Sequence, residues 1–527
     1  MKKNIIIMAL GLSSLAFITS CSKDSFADYY RNPSKIEKAS VDKQYTGVMF
    51  GFKELIIPTY TNIFVTQRPT INRYIQTLGW VDEANHLTVG AAATEARWTQ
   101  YYKGLAQFKD LERLYDELID VEKEEKLVLY LTAKILFYDQ TQQMVDLFGP
   151  IPWSTAGTLN ANPGNFKASY AKYDTAEEIY ETMLDDLKSI SEQLQTLTTP
   201  ASISTVFATQ DLVHNGDLSL WRKYANGLRL RMLTRVSESS KFATRASAEL
   251  ATIINDRTAY PLPLVNAENA QIDIFDSGSK ITSDGIRDAF EAGGTWYANL
   301  SSKRMIDPMV QNADPRLPFI FEPGVEAKGK FIGLDQSIGS TPQSDLARSG
   351  TIAIYNRSTF SRSKFFPGIL MTSSEVNFLL AEYYNKNGKA AEAKAAFENG
   401  IKESVHLYED IRSRSDDDVT AAAPKPTSEQ IDTYISNLKW DAATNKIELI
   451  AYQKWTHFNL VQAVEAWSEV RRLDYPKFTV TTQNSDLNKT IPVRFTLPSS
   501  ESTHNKEHYA AVHEQNNQNN KIFWDVN

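Results

Sequence analysis

Cysteine is almost absent: Cys21 is the only one in 527 residues. A single thiol forms no internal disulfide, and cysteine-built zinc sites, thiol nucleophiles and redox pairs fall away with it. Small exported domains depend on disulfides, whereas a chain of this length buries a core without them. Basic runs are also missing. The formal net charge is −8, and two units more negative without Lys2 and Lys3, which is not the balance of a nucleic-acid binder. The chain has no P-loop, no dinucleotide fingerprint and no G-x-S-x-G elbow, so nothing points to catalysis. A glycosidase needs only two carboxylates across a cleft, but no pair among the 64 acids stands out. "HNKEH" (His504–His508) matches H-x-x-E-H by letter, yet it follows the turn-rich run "LPSSEST", and metalloprotease chemistry needs it on a helix with a third ligand. His86, His214, His406, His457 and His513 are scattered and suggest no ligand set. No metal is therefore expected. A calcium ion in "SRSDDD" (Ser413–Asp418) is conceivable but unsupported, because a surface loop of acids is usually just solvated.

The one long hydrophobic run explains the one cysteine. Met1-Lys2-Lys3 is a short positive region, Ile5–Ile18 is apolar, and Thr19-Ser20 are small, which together read as an export signal over residues 1–20. The run is too short to span a bilayer, which takes ~20 residues. A cysteine directly after the small pair is similar to a bacterial lipobox, although Thr-Ser is more polar than the usual pattern. Cys21 would then be acylated and become the first mature residue. Several acyl chains anchor stably where one binds only marginally. A plain secretory signal with an incidental cysteine is the alternative.

The rest reads as mainly α. Apolar residues at helical spacing fill roughly 91–119, 122–148, 174–196, 217–238, 371–406 and 442–472. Long Pro-, Gly-, Asn- and Ser-rich stretches separate them, with a few short β-hairpins expected inside and a loop-rich insertion at about 256–370. "LLAEYYNKNGKAAEAKAAFENGIKESV" (Leu379–Val405) is two helices joined by "NKNG". Ala381, Ala393, Gly400, Tyr384 and Phe397 fall where a tetratricopeptide repeat puts its packing residues. One repeat cannot bury its own face, so 122–148 with 174–196, 217–238 with 244–255, and 427–440 with 442–472 are the other candidate pairs. The fold expected is a tetratricopeptide-like α-α superhelix, one domain over 21–527.

The aromatics amount to 9 Trp, 24 Tyr and 25 Phe. Trp98, Trp153, Trp221, Trp440, Trp455, Trp467 and Trp524 sit in helical or motif contexts and read as core. Glu375, Glu382, Glu448 and Glu465 with Arg229, Arg231, Arg471 and Arg472 read as ion pairs locking repeats together, and Glu501 beside Arg494 as another. Trp80 in "TLGWVDEANH" and Trp296 with Tyr297 in "AGGTWYANL" lie in loop-like stretches. Asp82, Glu83 and Asn85 flank the first, and Asn299 the second. A sugar offers an apolar CH face and a rim of hydroxyls, so an aromatic beside amide and carboxylate groups suits it. The same tryptophans would equally serve as plugs fixing loops to the scaffold.

Several motifs, in order, resemble the SusD/RagB family of Bacteroidetes lipoproteins. They are "MVDLFGPIPW" (Met144–Trp153), "WRKYANGLRLRMLTRV" (Trp221–Val236), "SSEVNFLLAEYY" (Ser373–Tyr384), "AYQKWTHFNLVQAVEAWSEVRRLDYP" (Ala451–Pro476) and "RFTLPSSESTHNKEHY" (Arg494–Tyr509). The details look most like the SusD-like branch. The resemblance implies a lipid-anchored outer-membrane protein at the cell surface, without enzymatic activity or cofactor. It would act as the lid of a SusC-like TonB-dependent transporter and capture oligosaccharides for import. RagB-type members take peptides, which is the second reading. A repeat adaptor that docks another protein without a ligand is the third.

Overall fold

The structure is a computed structural model that describes residues 39–274, 281, 283, 285–291 and 299–527. The signal segment, Cys21, Trp296 and Tyr297 lie outside the described residues. From Val41 to Asn527 the chain is a single compact unit.

The long helices, in chain order, are α1 (Val41–Ile56), α2 (Ala91–Asp116), α3 (Asp120–Phe148), α4 (Ala176–Thr196), α5 (Leu218–Arg235), α6 (Ala243–Asn255), α7 (Lys303–Gln311), α8 (Ser373–Lys386), α9 (Ala390–Ser413), α10 (Ser428–Asn437), α11 (Lys446–Phe458) and α12 (Ala463–Leu473). Their ends follow local chemistry. Thr175 and Thr427 close capping boxes with Glu178 and Gln430 at the starts of α4 and α10. Gly388, at φ +70°, makes the left-handed step between α8 and α9 that a side chain would strain.

The α8–α9 pair is the repeat read from Leu379–Val405. Gly400 lies against Phe378: a Cβ there would come within 2.6 Å of the ring. Ala381, Ala393 and Phe397 are buried with it, and Phe397 meets Trp440 of the next segment at 4.5 Å between ring centres. The last pair differs from expectation. The block 442–472 is two helices, α11 and α12, broken at Asn459 (φ +35°), and these pack on each other. Helix α1 and the shorter Ala201–Gln210 and Ser340–Arg348 lie where no helix was read. Among the described residues the strands form three antiparallel pairs, β1 (Ile151–Pro152) with β2 (Tyr173–Asp174), β3 (Ala270–Ile272) with β6 (Gly368–Met371), and β4 (Phe321–Glu322) with β5 (Ile354–Tyr355). The β3–β6 pair joins distant parts of the chain, so it is not a local hairpin.

All seven tryptophans read as core are buried. Between α3, α5, α8, α11 and α12 runs a buried network of charges. Arg231 holds Glu375 (2.5 and 2.8 Å) and Asp139 (3.0 Å), and Arg235 holds Asp146, Glu465 (2.7 Å) and Glu469 (3.2 Å). Arg472 grips Glu382 with two 2.7 Å bonds, and Lys454 bridges Glu382 (2.9 Å) and Glu469 (2.7 Å). Four pairings differ from the reading of the sequence. Arg229 pairs with Glu249, Arg471 donates to the carbonyls of Asp146 and Val493, and Glu448 is an exposed residue at the start of α11. Arg494 gives its guanidinium to the Phe148 carbonyl, while Glu501 accepts from the Tyr173 hydroxyl (2.7 Å). Carbonyls at helix ends need donors, and these arginines supply them.

Candidate ligand-binding face

Trp80 does not stand out as a platform: it is 4% exposed. Gln336 clamps its backbone on both sides. The Trp80 N–H donates to Oε1 at 3.1 Å, and Nε2 donates to the Trp80 carbonyl at 2.9 Å. The indole lies 5.9 Å from the His86 ring. The Asp82 N–H donates to Gln343 (2.7 Å), its carboxylate accepts from the Thr481 hydroxyl, and burial raises the carboxyl above its ordinary value. Asn85 is half-buried and sits at φ +61°, a conformation its short amide tolerates. Its N–H donates to Asp486 (2.8 Å) and its Oδ1 accepts from the Leu487 N–H (2.8 Å). Asn299 is buried and gives its carbonyl to the Tyr355 N–H (2.9 Å). Its Oδ1 has no partner among the described residues. The polar groups around Trp80 thus lace the 80–89 loop to the 479–488 loop and to the 336–343 segment. The Trp80 segment and Asn299 are joined through the backbone, since the Gly79 N–H donates to the Leu300 carbonyl (2.8 Å).

Next to the clamp is a polar cavity of about 300 Å³, lined by Gln76, Lys303, Arg304, Asp307, Gln336 and Tyr452 among others. Helix α7 places its charges. Ser302 caps it by accepting from the Met305 N–H (3.2 Å) and donates to the Gln76 carbonyl (2.5 Å), which ties the helix to the wall. Pro308 inside α7 has no N–H for the Arg304 carbonyl one turn back. Lys303 reaches Asp335 at 3.1 Å. The Ser337 hydroxyl and amide, with Lys303, hold the Asp335 carboxyl below its ordinary value, so it is ionised at neutral pH and does not act as a general acid.

Tyr452 and Pro308 are shared with a second cavity of about 340 Å³, whose walls include Met305, Met309, Leu438, Leu449 and Trp455, with Asn312 and Asn445 at its polar side. Arg304 lies over the Tyr452 ring, 5.9 Å from its centre. The half-buried ring therefore stands between a charged compartment and an apolar one. Such a groove can hold a molecule with hydroxyls on one side and CH surface on the other. Nothing in the sequence singled out Tyr452. It sits at helical spacing in α11, where an aromatic usually reads as core.

The H-x-x-E-H letters do not lie on one helix. Ser499–His504 ends at Asn505, whose amide donates to the Ala171 carbonyl (3.0 Å), and a new turn begins at Lys506. In the acidic loop Asp416 pairs with Lys364 (3.1 Å) and Asp417 accepts from Ser358. Among the described residues no three His, Cys, Asp or Glu side chains gather as a metal-holding group. No described helix is long and apolar enough to cross a membrane.

A scaffold of paired helices with a two-compartment groove lined largely by α7 and α11 defines a protein of the helical-repeat class. The chain belongs to the SusD-like family: the family model described as "Starch-binding associating with outer membrane" matches residues 47–498. A search of curated proteins finds no match. Among solved structures the fold is similar to that of a chitin-binding protein (TM-score 0.75, 21% identity, 93% of this chain and 100% of that one). It is similar also to a chitin-binding SusD homologue from Flavobacterium johnsoniae (TM-score 0.69, 21% identity, 92% and 99%). A SusD homologue from Parabacteroides distasonis is a third (TM-score 0.71, 21% identity, 93% and 98%).

Proposed function

We propose that this protein captures oligosaccharides at the outer membrane and passes them, unchanged, to a SusC-like TonB-dependent transporter that it covers as a lid. The observation that carries the reading is family membership across the whole scaffold, residues 47–498, in a family described as starch-binding and outer-membrane associated. The groove beside Tyr452 supports it with an aromatic wall and a charged rim on one side and apolar side chains on the other. Acylation at Cys21 would tether the chain through the polar segment that follows. The expected action is binding alone: Asp335, held ionised by Ser337 and Lys303, suits a hydroxyl acceptor more than a proton donor.

The lid model is tested by solubilising the native lipoprotein from its own membranes in mild detergent and identifying what accompanies it. A stoichiometric outer-membrane barrel is the expected result. Recovery of the protein alone, or only with periplasmic enzymes, overturns the transporter partnership.

A further inference from the structure

Among the described residues only a few large aromatics are exposed, and one of them is not alone. Tyr60 is 46% exposed and stacks on Phe64 with ring centres 4.8 Å apart and planes 21° from parallel. Both belong to a helical stretch in which Thr61–Gln67 is π-helical and Tyr60 and Arg68 continue the right-handed sense at either end. Spacing of four sets Tyr60, Phe64 and Arg68 along one side, and the Arg68 guanidinium lies 5.4 Å from the Phe64 ring centre. The inner residues are fastened. Asn62 donates to the carbonyls of Leu55 (3.1 Å) and Ile57 (3.2 Å), and Gln67 donates to Asn62 (2.9 Å). The π turn is thus held by its buried amides while Tyr60 faces outward over Phe64, which is half-buried against the core, and π turns occur frequently at functional sites.

An ion pair links the following turn to the segment that carries Trp80. Arg73 binds Glu83 at 2.5 Å, with the Glu83 side chain largely exposed. Burial lowers the Arg68 pKa to about 10, with Arg73 adding to this and Glu83 opposing it. We infer that Tyr60 and Phe64 form a stacking platform for one pyranose ring of a bound oligosaccharide, with Arg68, Arg73 and Glu83 as its hydroxyl-binding rim. This rests on the glycan-capture reading and adds to it a subsite outside the Tyr452 groove. Two rings are far too little for a protein partner, which needs about 800 Å² per side. They match the CH face of a single sugar, whose hydroxyl rim takes up guanidinium and carboxylate groups.

The test compares the mature chain with its Tyr60→Ala and Phe64→Ala variants, titrated calorimetrically with chitohexaose and maltohexaose. The expected result is a loss of roughly tenfold in affinity for whichever glycan the parent binds. Tyr60→Ala should lower Tm by no more than about 1–2 °C, the loss of one half-exposed stacked pair, and it decides the matter if Phe64→Ala unfolds. Parent-like affinity in Tyr60→Ala overturns the platform and leaves the capture reading intact. Parent-like affinity with loss of the co-purifying barrel also overturns it and assigns the rings to a protein contact. A parent that binds neither glycan nor any longer oligosaccharide defeats the capture reading itself, and the platform falls with it.

Discussion

Glu382→Gln isolates what the buried charge network contributes. The carboxylate is buried, receives both ends of the Arg472 fork at 2.7 Å, and takes Lys454 at 2.9 Å and Lys386 at 3.1 Å. Its pKa is held well below the ordinary value: burial opposes this, and Arg472 and Lys454 outweigh burial. The amide keeps the shape but removes the charge and turns an NH₂ toward donors. Arg472 and Lys454 are then left to share Glu469, which already also serves Arg235. Removing one member of a buried pair costs about 3–5 kcal/mol, mostly as the penalty for uncompensated charge. Unfolding entropy near 2.1 cal/mol/K per residue, over about 490 residues, gives about 1 kcal/mol per degree, so Tm should fall by about 3–5 °C. Differential scanning calorimetry of the soluble mature chain measures it. Arg472→Met in the same background should cost less than the two single losses added together, since each change relieves the charge left by the other. A Tm drop below about 1 °C, or strict additivity, refutes the reasoning.

Three further outcomes are expected. His457 is buried between Thr372 (2.8 Å) and Ser404 (3.0 Å), and burial pulls its pKa down to about 3; His214 is likewise pulled to about 4. A depressed folded-state pKa gives stability that is present above about 6.5 and lost as pH falls, so Tm should drop steadily from pH 7 toward pH 4. Asp139, raised to about 6 mainly by burial, acts in the opposite sense over part of that window, and the two histidines outweigh it. A His457→Gln variant should show a shallower pH slope; an unchanged slope contradicts the assignment. Gly400→Ala should destabilise by about 1–3 kcal/mol in urea unfolding, because its Cβ meets the Phe378 ring at 2.6 Å and the ring is enclosed. Gln336→Ala should increase acrylamide quenching of tryptophan fluorescence by releasing Trp80, and unchanged quenching would mean that the clamp does not hold the indole.

The helical repeats were legible because each buries one face against its neighbour, which writes a 3.6-residue period into the sequence. Gly400 and Ala393 were readable for the same reason: close helix approach demands small residues. The partners of the buried arginines were only partly readable. Arg231 meets Glu375 from a helix 144 residues away, and Arg471 turned out to serve carbonyls at the end of α3 and beyond. The seven tryptophans in helical or motif contexts were read correctly as buried, but exposure of aromatics in irregular stretches was not legible. Trp80 is buried, its backbone held by Gln336, 256 residues distant, whereas Tyr60, between Pro58-Thr59 and Thr61-Asn62, lies at the surface over half-buried Phe64. Aromatic type and local composition do not reveal which other segment covers a ring.

The most direct test of the account is calorimetric titration of the mature chain with a panel of neutral oligosaccharides, chitohexaose and maltohexaose among them, beside oligopeptides of similar length. Saturable binding to at least one glycan, weakened by Tyr452→Ala and absent for the peptides, is the predicted result. Binding to peptides alone, or to nothing in the panel, would contradict oligosaccharide capture.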